Sequence, residues 1–304
     1  MNGEGSGVIR IHLWMALVLA SLATGCTVAT DTGRLAAVAD AGIAYADKVP
    51  PLLERAYELA AAVDSAALVV ARNGLSAEQR RDRLREFDVA MTERLKEYVA
   101  AERHNELLRS YFLALRIVLK PDGPKEIGAA AKRLTAALGK LSPRLKKARM
   151  GDVSVSGLIE PAAHIAVASF RSAALRRELE ARGPTIEREL AVQEALVSAL
   201  ARQVRADREV LSTRFRSAEV VEPYVSAARL PRTWPARRLR SLRGAGDVEA
   251  ARAAEQAIRS LRQAYVAALE GRLDSTRAAE LATTVEGFVE LVSRLGAEAG
   301  RAVR

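Results

Sequence analysis

Few side chains in this sequence are equipped for covalent or metal chemistry. Its 304 residues include one cysteine, Cys26, and three histidines, His12, His104 and His164. A lone thiol excludes a disulfide scaffold, a zinc ribbon and a Cys-x-x-Cys redox pair. The histidines do not fall at metal-binding spacings. A di-metal helical bundle uses Glu-x-x-His pairs on facing helices, a zincin uses His-Glu-x-x-His, and neither occurs. His104, between Glu102 and Glu106, reads as a helix-surface or junction residue. His164 follows Glu160 by four residues within an apolar run, which fits a hydrogen-bonded core histidine. Gly-x-Ser-x-Gly, the P-loop and a Gly-x-Gly-x-x-Gly after a strand are missing too. The carboxylates lie on charged helical faces, where the default is solvation or i,i+4 pairing with Arg, as for Glu178 and Arg182. The expectation is a protein that is not an enzyme and that holds neither metal nor cofactor.

The densest chemistry is cationic. Arg229, Arg232, Arg237, Arg238, Arg240 and Arg243 fall within 15 residues, together with Trp234, and no acid occurs from Pro223 to Gly246. Guanidinium forks bind phosphates and carboxylates in bidentate fashion, and tryptophan suits a membrane interface. These seven residues form a candidate contact site for an anionic surface: lipid headgroups, lipid-linked glycan phosphates or an acidic protein. Pro231 and Pro235 should interrupt any helix there and keep the segment on the surface. The net charge of +10 would also suit nucleic acid. Only 4% of residues are aromatic, however, and no stacking platform of interleaved rings is visible, so nucleic acid is not an expected partner.

The thiol has a specific setting. Arg10 precedes an apolar stretch, Leu13 to Leu22, which is too short to span a bilayer, since a spanning helix needs about 20 residues. It reads as the apolar region of a secretory signal. Leu22-Ala23-Thr24-Gly25-Cys26 follows. This motif resembles the lipobox of bacterial lipoproteins, and the resemblance covers residues 1–26 only. It implies cleavage before Cys26 and a diacylglyceryl group carried on its sulfur as a thioether, with Leu22, Ala23, Thr24 and Gly25 as the recognition residues. It further implies export and a stable anchor, because two or three acyl chains hold a protein at a bilayer where one does not. Thr27, in place of the aspartate associated with inner-membrane retention, favours the periplasmic side of an outer membrane where the cell has two membranes. The expected organisation is a signal peptide over 1–25, a short tether over 26–32 and one helical domain over 33–304.

The body of the chain repeats at helical spacing almost throughout. Helices are expected over about 34–47, from Pro50-Pro51 to Asn73-Gly74, and from a capping box at Ser76 and Gln79 to about Lys120. Within the last of these, Leu84, Phe87, Met91, Leu95 and Tyr98 step by three and four. Further helices are expected up to Gly139, over about 158–182 and from Gly183-Pro184 to about Ala218. Two more follow, from Asp247 to about Gly271 and from Asp274 or Ser275 onward. In the last, Leu281, Val285, Phe288, Val292, Leu295 and Ala299 form a coiled-coil seam. The weakest junction is 140–157, where Val153-Ser154-Val155-Ser156 is the longest strand-like alternation. The resulting fold is all-α: an elongated antiparallel bundle of about seven to nine helices, some very long, with coiled-coil-like packing and no sheet.

The expected function is a membrane-tethered, non-enzymatic bundle of the bacterial envelope that binds another envelope component. The alternative is a protection or inhibitor lipoprotein directed at a toxin, phage or lytic enzyme. A cell-wall or glycolipid enzyme would need two carboxylates facing one another across a cleft. The lipobox reading has a direct consequence. Cys26→Ser should abolish palmitate labelling and leave an uncut precursor; a Ser variant that still labels contradicts it, since no other thiol exists.

Overall fold

The computed structural model describes residues 6–119, 127–159, 173–227, 229–242 and 246–302. Among these it describes the side chains of 32–119, 131–159, 173, 175–227, 229–242 and 246–297. Helix accounts for 89% and strand for 2%. The elements in order are α1 (Ser6–Ala71), α2 (Ala77–Val118), α3 (Ile127–Lys147), β1 (Arg149–Met150), β2 (Val153–Ser154), α4 (Ala173–Arg216), α5 (Glu222–Ser226), α6 (Trp234–Leu242), α7 (Gly246–Leu269) and α8 (Ser275–Ala302). Among the described residues six long helices build the bundle, slightly below the seven to nine expected, and two short ones lie at one end.

The count is lower because prolines do not break the chain where expected. Pro50 and Pro51 sit inside α1, and Pro184 sits inside α4. Pro50 has no N–H, so the carbonyl of Ala46 loses its intrahelical donor. Asn105, fully buried on α2, supplies the replacement: its Nδ2 donates to Ala46 O at 2.8 Å. The carbonyls freed by Pro51 and Pro184 belong to Asp47 and Glu180, both exposed residues. The helix that opens at Ser76 runs through His104-Asn105 without a break, and α2 is one helix of 42 residues, about 63 Å long.

Other boundaries follow local chemistry. Gly74 takes φ 77° after α1, and the Ser76–Gln79 capping box opens α2, with Ser76 N donating to Gln79 Oε1 at 2.8 Å. Asp274 caps α8 by accepting from Arg277 N at 2.8 Å. The expected loose junction is half helix, since Pro143 lies inside α3. The rest is an antiparallel hairpin of β1 with β2, a small exception to the expectation of no sheet. Gly151 makes its turn at φ 60°, where a Cβ would collide with Gln203. The expected apolar helix over 158–182 lies outside the described residues up to 172, as do Glu160 and His164.

Cross-helix contacts set the directions. Arg116 pairs with Asp40 and Tyr57 packs edge-on against Tyr98, so α2 runs antiparallel to α1. His104 meets Glu189 and Gln193 on α4, while Tyr98 feels the charge of Asp207, so α4 runs parallel to α1. Arg259–Glu194 and Arg208–Asp247 set α7 antiparallel to α4. Arg34 donates to Leu273 O, and Tyr45 packs on Phe288, so α8 runs with α1. One end of the bundle therefore holds Arg34 and the α7–α8 turn. The other holds the C-terminal part of α4 with α5 and α6.

The core runs from Leu35 to Val292. The α8 seam is buried at Leu281, Val285, Phe288 and Val292; Ala299 lies outside the described side chains. Tyr111, Phe112 and Tyr265 pack edge-on at the centre. Gly42 admits the Phe112 ring, which a Cβ would approach to 2.5 Å. The other long stripe is not core. Of its members only Tyr98 is buried, and no residue from 61 to 97 is; α1 and α2 leave the bundle there as a two-helix arm, which α3 reaches through Arg144 at Glu97 and the Lys96 carbonyl.

The bond to Ala46 makes a testable pair. Asn105→Ala is expected to cost about 1–3 kcal/mol, the range for leaving a buried polar group unsatisfied. Adding Pro50→Ala should recover part of that loss, because the new amide N–H at position 50 reaches Ala46 O. Denaturant unfolding of the singles and the double checks this; additive losses would contradict it.

Candidate anionic-surface contact site

The Arg-rich segment folds more than its prolines suggest. Helix α4 ends at Arg216 and widens into a π-helical turn, Ser217–Val221, which leads into α5. The chain then reverses and α6 begins at Trp234. Pro235 is its second residue, where a missing N–H costs nothing and φ is already helical. The expected interruption therefore holds at Pro231, which precedes the helix, and fails at Pro235.

Helix α6 lies on the π-turn and the end of α4. Trp234, Arg237 and Ser241 share its inner face and are half-buried. Trp234 Nε1 donates to Val220 O at 2.9 Å, and the indole stacks on Tyr224 with ring centroids 5.5 Å apart. Arg237 pairs with Glu219, an acid just outside the acid-free stretch of sequence. Arg240 lies over the Phe215 ring at 5.3 Å, and Arg238 over Trp234 at 6.0 Å. Arg229 and Arg232 are exposed. Arg243 lies outside the described residues.

The outer face of α6 is apolar. Pro235, Leu239 and Leu242 are spaced at i, i+4 and i+7, one helical stripe. Leu239 is 53% and Leu242 62% exposed. At the start of α6, Tyr224, which stacks on Trp234, is 65% exposed, and its neighbour in sequence Val225 is 75% exposed. An amphipathic surface helix normally turns its apolar stripe to the core. Here the half-buried face is held by a hydrogen bond, an ion pair and ring stacking, while leucines and arginines share the solvent side. Sequence reasoning missed Tyr224, Leu239, Leu242 and Glu219. Recognising Pro235 as a first-turn proline would have exposed the Pro235–Leu239–Leu242 stripe.

Other chemistry-bearing groups are spent on structure. His104 is fully buried, not on the helix surface or at a junction. Its Nδ1 is 2.8 Å from Gln193 Oε1 and its Nε2 3.1 Å from Glu189 Oε2. A groove of about 530 Å³ between α4, α7 and α8 includes Glu187, Glu194, Arg259 and Arg262. Arg262 bridges Glu187 and Glu194, and Arg259 bridges Glu194 and Glu255, so the α4 carboxylates of the groove are held in ion pairs; Glu280 lines its α8 side. Among the described residues no cluster of three His, Cys, Asp or Glu could hold a metal ion. No described helix is long and apolar enough to cross a membrane. Leu22, Ala23, Thr24, Gly25 and Cys26 lie outside the described side chains.

Below the cap, Gln203 ties the hairpin to α4. Its Oε1 accepts from Asp152 N at 3.3 Å and its Nε2 donates to Asp207 Oδ1 at 2.7 Å. Burial raises the Asp207 carboxyl above its ordinary value, against Gln203 and Arg94, which lower it. A carboxyl held above its unfolded pKa stabilises the fold when protonated. That contribution is complete below about pH 4 and is lost as pH rises through the folded value. Asp207→Asn keeps the acceptor for Gln203 and removes the charge. Thermal unfolding should give a midpoint above wild type at neutral pH, with the gain vanishing in acid; a loss at neutral pH would contradict this.

No family profile, no curated protein and no solved structure matches this chain.

Proposed function

We propose that this chain is a lipid-tethered, non-enzymatic helical bundle of the bacterial cell envelope, and that its cap, from the π-turn through α6, binds an anionic envelope surface. In this reading Cys26 carries the anchor, and the periplasmic side of an outer membrane is its expected location. One observation carries the cap's role: α6 turns Leu239 and Leu242 outward among Arg229, Arg232, Arg238 and Arg240. Leucine and tryptophan beside arginine is the composition of a helix that lies in a membrane interface. Long arginine stems also let the guanidinium reach phosphate while the apolar neighbours enter the acyl boundary.

A second reading is a protection or inhibitor lipoprotein. It draws on the α1–α2 arm, where Val69, Val70, Leu84 and Val89 are exposed on a surface that could cover a partner.

The cap reading is testable with the chain from Thr27 onward, which retains the whole described core from Leu35. Trp234 is its only tryptophan, because Trp14 precedes it. Binding to anionic vesicles should shift Trp234 emission to the blue and weaken with added salt, as exposed charges are screened beyond about 8 Å at physiological ionic strength. Replacing Arg237, Arg238 and Arg240 with Gln should weaken binding about a hundredfold, at about 1 kcal/mol per arginine. Stability should change by no more than about 1 kcal/mol, since the one ion pair broken, Arg237–Glu219, is 42% and 38% exposed. A variant that binds like wild type contradicts the reading.

A further inference from the structure

Helix α3 carries a charge asymmetry of its own, away from the cap. It holds Lys132, Arg133, Lys140, Arg144, Lys146 and Lys147, and Arg149 follows in β1. No acid occurs from Ile127 to Gly151. Every one of these cations is exposed. At 100° per residue, those on the helix fall within about 160° of its circumference, together with Ala136, Gly139 and Pro143. The opposite side carries Leu134, Leu138, Leu141 and Leu145 and packs on α2 and α4, with Leu138 and Leu145 fully buried.

Little in the fold neutralises this face. Glu97 on α2 takes Arg144 at 3.5 Å. Arg149 donates to the carbonyl of Asp152, not to its carboxylate. Among the described residues Lys132, Arg133, Lys140, Lys146 and Lys147 are in no ion pair. Helix α2 shows that such an imbalance is not general in this chain, since its surface is laced with matched pairs: Arg83–Glu86, Asp82–Arg85, Glu93–Lys96 and Arg103–Glu106. Like charges crowded on one side of one helix repel one another, and an anionic counterpart relieves that repulsion.

The chemistry of the face selects the counterpart. It presents no aromatic ring on which a base could stack and no large apolar side chain to anchor a protein partner. Half of the chain's lysines lie on it, compact charges on flexible stems that attract phosphate without demanding a fixed fork geometry. From Lys132 to Lys147 they are spread along about 22 Å of helix, which suits a plane of phosphates better than a single bound anion. A cluster of four to eight Lys and Arg on an amphipathic helix is the pattern that adsorbs to anionic lipid.

We propose that the outer face of α3 is a second contact surface, which lays the flank of the bundle on the anionic headgroups of a bilayer. The apolar side of α3 is already used in the core, so the contact stops at headgroup level. The inference goes beyond the cap reading and stands without it, since it uses neither α6 nor the anchor on Cys26.

A label on the face tests it. The chain from Thr27 onward has no thiol, so Ala136→Cys places a neutral fluorophore in the middle of the cations. Phosphatidylglycerol vesicles should shield that label from acrylamide, and added salt should reverse the shielding. With Arg238 and Arg240 already replaced by Gln to silence the cap, changing Lys132, Lys140 and Lys147 to Gln should weaken vesicle binding about a hundredfold and leave the thermal midpoint in place. Changing Arg81, Arg252 and Arg277 to Gln, exposed cations on α2, α7 and α8, removes the same net charge and should weaken binding far less. Equal weakening by the two triple variants, or a label that stays open to acrylamide on bound protein, overturns the proposal. Binding to duplex DNA or polyglutamate but not to vesicles makes the counterpart a soluble polyanion and the lipid assignment wrong. In the chain with its cap intact, Trp234 separates the two readings. A shielded label beside an unshifted Trp234 means that α3 binds and the cap reading falls; a shifted Trp234 beside an open label means the reverse.

Discussion

A single side-chain hydrogen bond allows α1 to stay whole. Pro50 deletes the donor that Ala46 O requires, in a helix that packs on α2, α4, α7 and α8, and the Asn105 amide restores it from α2. Without that bond a buried carbonyl would face apolar neighbours, at a cost comparable to a lost hydrogen bond. A bent α1 would present Leu35, Val38 and Tyr45 at one angle and Leu52, Ala56 and Leu59 at another. Because α1 stays continuous, α2, α4, α7 and α8 share one axis. The separation between the Arg34 end and the cap depends on that shared axis.

Polar groups in the core set register rather than chemistry. Glu189, His104 and Gln193 fix the height of α2 on α4. Arg262, held by Glu187 and Glu194, fixes α7 on the same helix. Truncating one member of such a set strands a buried charge, which costs far more than the pair contributes. Small residues complete the alignment. Gly42 lets Phe112 approach α1, and the alanine face of α7, from Ala250 through Ala254, Ala257 and Ala264, lets neighbouring helices come close.

Much of the architecture was legible from spacing and caps. The Ser76–Gln79 box, the Asp274 cap and the α8 seam were readable because each depends on residues within a turn or two of one another. The errors share a cause: they depend on partners distant in sequence. Pro50-Pro51 and Gly183-Pro184 resemble helix starts until a rescuing group or an exposed carbonyl is known. His104 lies between two glutamates on the chain, and only α4 encloses it. The Leu84–Leu95 stripe has the period of a core helix, but it projects beyond the bundle on the α1–α2 arm. For the cap, the arginines and Trp234 were visible at once. The outward leucine stripe was hidden by reading Pro235 as a breaker, and Glu219 by its distance from the cluster.

The central claim is geometric: the Arg-rich cap stands at the far end of a continuous α1 from the residues that follow Cys26. Spin labels report it directly. In a chain beginning at Thr27, Thr32→Cys and Leu242→Cys provide the attachment points, since no other thiol remains. Double electron–electron resonance should give one distance population centred at about 40 Å, the helical rise between the two levels with a lateral offset. A population below about 20 Å would mean that the cap folds back beside the start of α1, and the account of a two-ended bundle would be wrong.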